Sequence, residues 1–217
     1  MLPRWMDLGL LPLLNLGMAL LVSGLVVWAV GLDPMQVIGL LLQGAWGSAS
    51  GVSYTLYYTT TFVFTGLAVA VAFHCGLFNI GGEGQAVMGG LGTGLVALAA
   101  LQWAPDLPAA LLLPLMVVGA LVFGAAWAAV PGALQAWRGS HVVITTIMFN
   151  FLASALMGYL LVEVLKPPGT MDLQSRSFGD HARMPGVHEL LLSLGVDWPA
   201  TPLNLTALLA IGALVFS

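Results

Sequence analysis

Charged residues are scarce in this chain. Only 5 lysine and arginine residues and 9 aspartate and glutamate residues occur among 217, or 6%, whereas soluble proteins carry about a quarter. So few charged side chains cannot provide the water-facing surface that a soluble domain of this length needs. The composition therefore excludes a water-soluble enzyme. Together with 59% hydrophobic residues and a mean hydropathy of +1.00, it predicts a membrane protein.

Other classes of function lack the residues that they need. The five basic residues form no cluster, which argues against a nucleic-acid surface. The single cysteine, Cys75, cannot form an intrachain disulfide, and no C-x-x-C spacing exists to bind zinc or an iron–sulfur cluster. Neither a serine–histidine pair at plausible depth nor a His-Glu-x-x-His motif is present. We therefore predict no catalytic residue, no metal site and no cofactor.

Long apolar runs predict the membrane spans. A helix needs about 20 apolar residues to cross about 30 Å of hydrocarbon. Five runs reach that length: Leu8 to Leu32, Tyr54 to Phe73, Gly84 to Trp103, Leu107 to Trp137 and Val142 to Leu165.

Two further apolar segments are different. Met35 to Ser53 is amphipathic and predicts a short surface or re-entrant helix. Leu203 to Phe216 is too short to span, and we expect it to be the start of a sixth span. The sequence thus predicts an all-α polytopic membrane protein.

The positions of lysine and arginine predict the orientation. Arg4 and Arg138 flank short loops and are separated by four predicted spans, so both fall on the same side. Basic residues in short loops favour the cytoplasm. We therefore expect a cytoplasmic amino terminus and an extracytoplasmic loop over residues 166–202, which are rich in charge.

A polar, glycine-rich segment separates the second and third predicted spans. Gly81, Gly82 and Gly84 weaken helix here, so we expect a broken helix near residues 76–85. Exposed backbone at membrane depth is tolerated only when it is buried in protein or lines a water-filled cavity. We therefore predict that the polar side chains of this segment line a translocation pathway; they are Asn79, Glu83 and Gln85. The alternative is a plain cytoplasmic turn at which Glu83 caps the next helix.

Two polar residues lie within the fifth predicted span. Thr146 and Asn150 are four residues apart and share one helix face. They either face the same pathway or bond a neighbouring helix.

Small residues recur every fourth position in two spans. One series is Gly82, Ala86, Gly90 and Gly94, and the other contains Gly124 and Gly132. Such smooth faces let another helix approach closely, so we predict helix packing at both.

The string GLFNIGGEGQ, from Gly76 to Gln85, resembles the signature of permease subunits of ATP-binding-cassette importers. It is most similar to the nucleoside and simple-sugar branch, which is related to ribose and branched-chain amino acid permeases. Val143 to Phe151 and the following Pro167-Pro168-Gly169 resemble later segments of that family, in the same order.

The resemblance implies one transmembrane permease domain over residues 1–217, the amino-terminal part of a longer permease of the bacterial inner membrane. The implied partners are a second permease subunit, two cytoplasmic ATPase subunits and an extracytoplasmic solute-binding protein. The implied solute is a nucleoside or a simple sugar. The absence of a G-x-x-x-x-G-K-[ST] loop agrees with ATP hydrolysis in a separate subunit.

Two other classes remain open. An ion-coupled secondary transporter also uses broken helices, and Glu83 would then be the coupling carboxylate. The other class is a purely structural membrane partner.

Overall fold

The computed structural model describes residues 6–216, which form eight α-helices. They are α1 (Leu11–Ala29), α2 (Pro34–Trp46), α3 (Ala49–His74), α4 (Gly82–Trp103), α5 (Ala109–Arg138), α6 (Val142–Leu160), α7 (Val187–Ser193) and α8 (Thr206–Phe216). A π-helical turn, Leu161–Leu165, extends α6. Five helices, α1 and α3 to α6, are long and apolar enough to cross a membrane. The predicted all-α polytopic fold with five spans is confirmed.

Capping residues determine where helices begin, and some of these boundaries differ from those predicted from the apolar runs. The second span begins at Ala49, five residues before the predicted Tyr54, because the Ser48 side chain accepts a hydrogen bond from Gly51 N at 3.0 Å. The amphipathic segment accordingly ends at Trp46 and not at Ser53. Asp33 starts that helix by accepting from Met35 N at 2.9 Å.

The predicted break in the helix is present but shorter than expected. Helix α3 ends at His74 and α4 begins at Gly82, so the polar turn comprises residues 75–81. Gly76 has a φ of 71°, which favours glycine. Gln85 N donates to Gly81 O at 3.0 Å, so Glu83 and Gln85 already belong to the first turns of α4.

The helices form two bundles. The second bundle consists of α4, α5 and α6, which share a buried core of Met88, Leu91 and Ala153. In the first bundle α3 packs against α2 and α8, and α1 packs against α2. Helix α3 touches α4 at few places, so the bundles have little contact.

The long polar loop joins the two bundles at one end of the molecule. A Cβ at Gly94 of α4 would lie 3.4 Å from the Phe178 ring, and Trp198 Nε1 donates to the buried Ser53 Oγ of α3 at 2.7 Å. The loop therefore lies at the start of α3, opposite the polar turn, as the predicted alternation of spans requires. Its extracytoplasmic location stays a prediction. Arg4, used for the orientation, lies outside the described residues.

Candidate functional site

Asn79 closes the polar turn. Its Oδ1 accepts a hydrogen bond from Gly81 N at 2.8 Å. A Cβ at Gly81 would lie 2.9 Å from that oxygen and 3.1 Å from Cβ of Thr146. Only glycine therefore lets the turn approach α6 this closely.

Asn150 connects α6 to both sides of the start of α4. Its Oδ1 accepts from Gly84 N at 2.9 Å, and its Nδ2 donates to Ile80 O at 2.9 Å. The first N–H groups of a helix have no partner inside that helix, and Gly81, at the N-cap, has no side chain to supply one. Asn150 therefore caps α4 from a residue 66 positions away in the sequence.

Thr146 packs against the polar turn without bonding to it. The residue is 2% exposed, and its hydroxyl donates within α6, to Val142 O at 2.8 Å. Thr146 and Asn150 share a face, as predicted, and that face contacts the polar turn at Gly81 and the first turn of α4 at Gly84.

Glu83 is exposed and lies between two cavities. The larger cavity, of about 580 Å³, lies between α3 and α4, and we call it the α3–α4 groove. The smaller, of about 300 Å³, is lined by α6 residues that include Asn150 and Ser154. Phe64 and Ala68 of α3 and Phe78 of the turn make most of the groove apolar. The groove brings together the predicted residues Asn79, Glu83 and Gln85, but not Thr146 or Asn150.

The carboxylate of Glu83 has no protein partner among the described residues. Among residues 6–216 it forms neither an ion pair nor a side-chain bond to the backbone at the start of α4. Its negative charge is favoured by the positive end of the α4 dipole. The same part of the chain contains no cluster of three residues that could hold a metal ion. Carboxylate oxygens of this kind can accept hydrogen bonds from hydroxyl and amine groups.

The predicted packing residues lie in varied surroundings. A Cβ at Gly124 would contact Gln85 O at 3.4 Å, and one at Gly94 would contact Phe178, whereas Gly82, Gly90 and Gly132 have nothing within 4 Å of such an atom. Ala86 lines the α3–α4 groove. The close contact between α4 and α5 is at residues not predicted: a Cβ at Gly92 would lie 2.4 Å from Gly119 O. No spacing in the sequence indicates that pair. A packing role for the open glycines stays a prediction.

Comparison with known proteins places the chain in a family. The family described as branched-chain amino acid transport system / permease component matches residues 51–216. A glucose ABC transporter permease protein of Haloferax volcanii is 35% identical over 84% of this chain and 47% of its own length. A nucleoside ABC transporter permease protein of Lactococcus lactis subsp. cremoris is 34% identical over 75% of this chain and 44% of its own. A guanosine ABC transporter permease protein of Bacillus subtilis is 35% identical over 72% of this chain and 43% of its own length.

The chain thus spans a little less than half the length of these relatives. No solved structure matches it significantly. Because the family match covers well over half of the chain, the chain belongs to the branched-chain amino acid transport system / permease component family.

Proposed function

We propose that the chain is part of a permease subunit of an ATP-binding-cassette importer and contributes to the pathway of a nucleoside or simple sugar. Family membership supports the transport role, and the names of the three relatives, which specify glucose, nucleoside and guanosine, support the solute class. The location that we propose is a bacterial inner membrane.

The α3–α4 groove carries the proposal. It combines apolar walls, including the rings of Phe64 and Phe78, with polar groups at Asn79, Glu83 and Gln85. Sugars and nucleosides have the matching combination, since ring faces contact aromatic side chains and hydroxyl groups bond to carboxylates and amides. Its volume of about 580 Å³ lies within the range of small-molecule sites. A transport site must also release its cargo, and a few such contacts allow that.

The proposed assembly supplies what this chain lacks. The sequence has no phosphate-binding loop, so two cytoplasmic ATPase subunits would hydrolyse ATP. A second permease subunit would complete the pathway, and an extracytoplasmic solute-binding protein would deliver the solute.

Uptake by the assembled transporter in lipid vesicles tests this proposal. We expect ATP-dependent uptake of labelled guanosine, uridine or glucose. Glu83→Ala should lower uptake per folded molecule about tenfold or more, the effect of losing about 1.4 kcal/mol of favourable interaction along the path. Glu83→Gln, which keeps a hydrogen-bond acceptor, should lower it less.

Glu163→Ala is the matched control, because Glu163 is also an exposed carboxylate but lies at the other end of α6. It should transport normally. Uptake driven by an ion gradient without ATP would contradict the importer and support a secondary transporter coupled through Glu83. Normal uptake by Glu83→Ala would remove this residue from the pathway.

A further inference from the structure

We infer that the two helix bundles hinge against each other about two short connections, and that this motion opens and closes the α3–α4 groove. The role of the motion in transport depends on the function proposed above. The hinge itself depends only on contacts within this chain.

The second bundle behaves as one body because its helices are joined by packing and by hydrogen bonds. Gly92 of α4 and Gly119 of α5 are in backbone contact, since a Cβ at Gly92 would lie 2.4 Å from Gly119 O. Trp127 Nε1 of α5 donates to Phe149 O of α6 at 3.3 Å. Asn150 of α6 holds the start of α4. None of the three helices can shift alone without breaking such contacts.

The first bundle is held together in the same way. Thr55 of α3 donates to Ala45 O of α2 at 3.1 Å, and α3 also packs against α8. Trp198, from the end of the polar loop, donates to Ser53 of α3 at 2.7 Å. Helix α7 joins this body, because its Val187 N donates to O of Leu203, in the segment that leads into α8, at 2.9 Å.

One connection between the bundles lies within the polar turn. The two hydrogen bonds of Asn150 fix Ile80 and Gly84 to the second bundle. The other side of the turn is fixed to α3, because Gly76 N donates to Phe73 O and Leu77 N donates to Ala72 O, both at 3.0 Å. The chain is therefore free to bend only between Leu77 and Ile80. Hinges commonly use a few residues at the ends of helices in this way.

The other connection lies in the polar loop at the opposite end. The 3-10 helix Asp180–Ala182 packs against α5 and thus belongs to the second bundle. Pro185 belongs to the first, because its carbonyl oxygen accepts a hydrogen bond from Leu205 N at 3.3 Å, and Arg183 forms an exposed ion pair with Glu189 of α7. The change of body occurs between Ala182 and Pro185.

The α3–α4 groove lies between the bodies that these connections join. Phe64 and Ala68 stand on the first bundle, whereas Glu83 and Ala86 stand on the second. A rotation about the two connections would change the width of the groove and leave the contacts within each bundle intact.

Distances between spin labels on the assembled transporter test the hinge. Cys75→Ser removes the native thiol. The pair Phe62→Cys and Leu121→Cys spans the bundles, and the pair Leu121→Cys and Met148→Cys lies within the second bundle; all three side chains are exposed. We expect the spanning pair to shift by about 2 Å or more between nucleotide-free and ATP-bound states, the size of a domain rearrangement. The control pair should not shift.

Two results would overturn the hinge: a spanning pair that is fixed and narrowly distributed in every state, or a control pair that shifts as much. If the distances of the spanning pair were broadly distributed but did not respond to ATP, the hinge would be supported and its coupling to ATP would be contradicted.

A cleavable thiol cross-linker then tests the role of the groove. Ala68→Cys with Ala86→Cys bridges it, and Leu95→Cys with Met157→Cys bridges α4 to α6 inside one bundle. Guanosine or glucose uptake is compared with that of the same double variant before cross-linking; cross-linking should abolish it only in the first pair, and reduction should return it to that variant's own level. If the spanning distance shifts but no solute is taken up by the unmodified transporter, the proposed function fails and the hinge stands.

Discussion

A single side chain, Asn150, determines where the polar turn is placed. Its amide offers one acceptor and one donor, and both are used on the backbone of the break, at Gly84 N and Ile80 O. Such groups are costly to leave without partners away from water. The turn also needs glycine at positions 81 and 84 for space. A Cβ at Gly81 would lie 2.9 Å from Asn79 Oδ1, and a Cβ at Gly84 would lie 2.9 Å from Asn150 Oδ1.

We expect Asn150→Ala to destabilise the protein by roughly 2 kcal/mol, because two hydrogen bonds worth about 1 kcal/mol each are lost. Asn150→Asp keeps the acceptor for Gly84 N and should fall between Ala and the wild type. Unfolding in a detergent titration would measure the differences.

Thr145→Val is the control for this experiment. Within residues 6–216 the Thr145 hydroxyl donates to carbonyls at the start of its own helix, those of His141 at 3.2 Å and Val142 at 3.1 Å. Its loss should therefore change stability by only a few tenths of a kcal/mol, as for other side chains that bond their own turn. If Asn150→Ala were no more destabilising than Thr145→Val, Asn150 would not be the cap of α4.

The residue scale also shows what the sequence could not decide. The glycine and polar content of residues 76–85 predicted the break. For Asn150, the sequence was compatible with either a pathway role or a hydrogen bond to another helix. Its partners could not be identified from local sequence, because they lie 66 and 70 residues away. Such a pairing depends on how α4 meets α6, which no local pattern determines.

At the scale of helices, the length of the apolar runs was enough to predict the spans. Their ends depend on single capping residues such as Ser48, so the start of α3 was missed by five positions. The contacting faces were harder to predict. A series of small residues at Gly82, Ala86, Gly90 and Gly94 indicated one face of α4, yet Gly92, on a different face, meets α5. Small residues permit close approach on any face where they occur, and the neighbouring helix decides which face is used.

Gly92→Ala should therefore destabilise the second bundle. The added Cβ would lie 2.4 Å from Gly119 O, a backbone atom that cannot move without shifting α5. Overpacking of this kind costs about 1–3 kcal/mol, more than the gain of about 1 kcal/mol in helix propensity.

Gly90→Ala is the matched control for Gly92→Ala, since nothing lies within 4 Å of the added atom. It should melt at or above the wild-type temperature. Equal melting of the two variants, measured on purified protein in detergent, would show that the contact between Gly92 and Gly119 does not limit how closely α4 and α5 pack.

At the scale of the whole molecule, the contacts divide the loops between two ends. The loop over residues 166–202 contacts the start of α3 through Trp198 and the carboxyl half of α4 through Phe178. The polar turn contacts the start of α6 through Thr146, close to Arg138 at the end of α5. Which end faces the cytoplasm depends on the distribution of charge, and Arg138 in its short loop favours the end with the polar turn.

Labelling with a membrane-impermeant thiol reagent tests this orientation. In a Cys75→Ser background, Met171→Cys should react from outside intact cells, because Met171 is 100% exposed in the polar loop. Arg138→Cys should react only after the membrane is opened. The native Cys75 is exposed at the same end as Arg138, so the unmodified protein should also react only in opened membranes. The reverse pattern in all three would invert the orientation while leaving the fold unchanged. The polar turn and its Glu83 would then face the side from which an importer receives its solute.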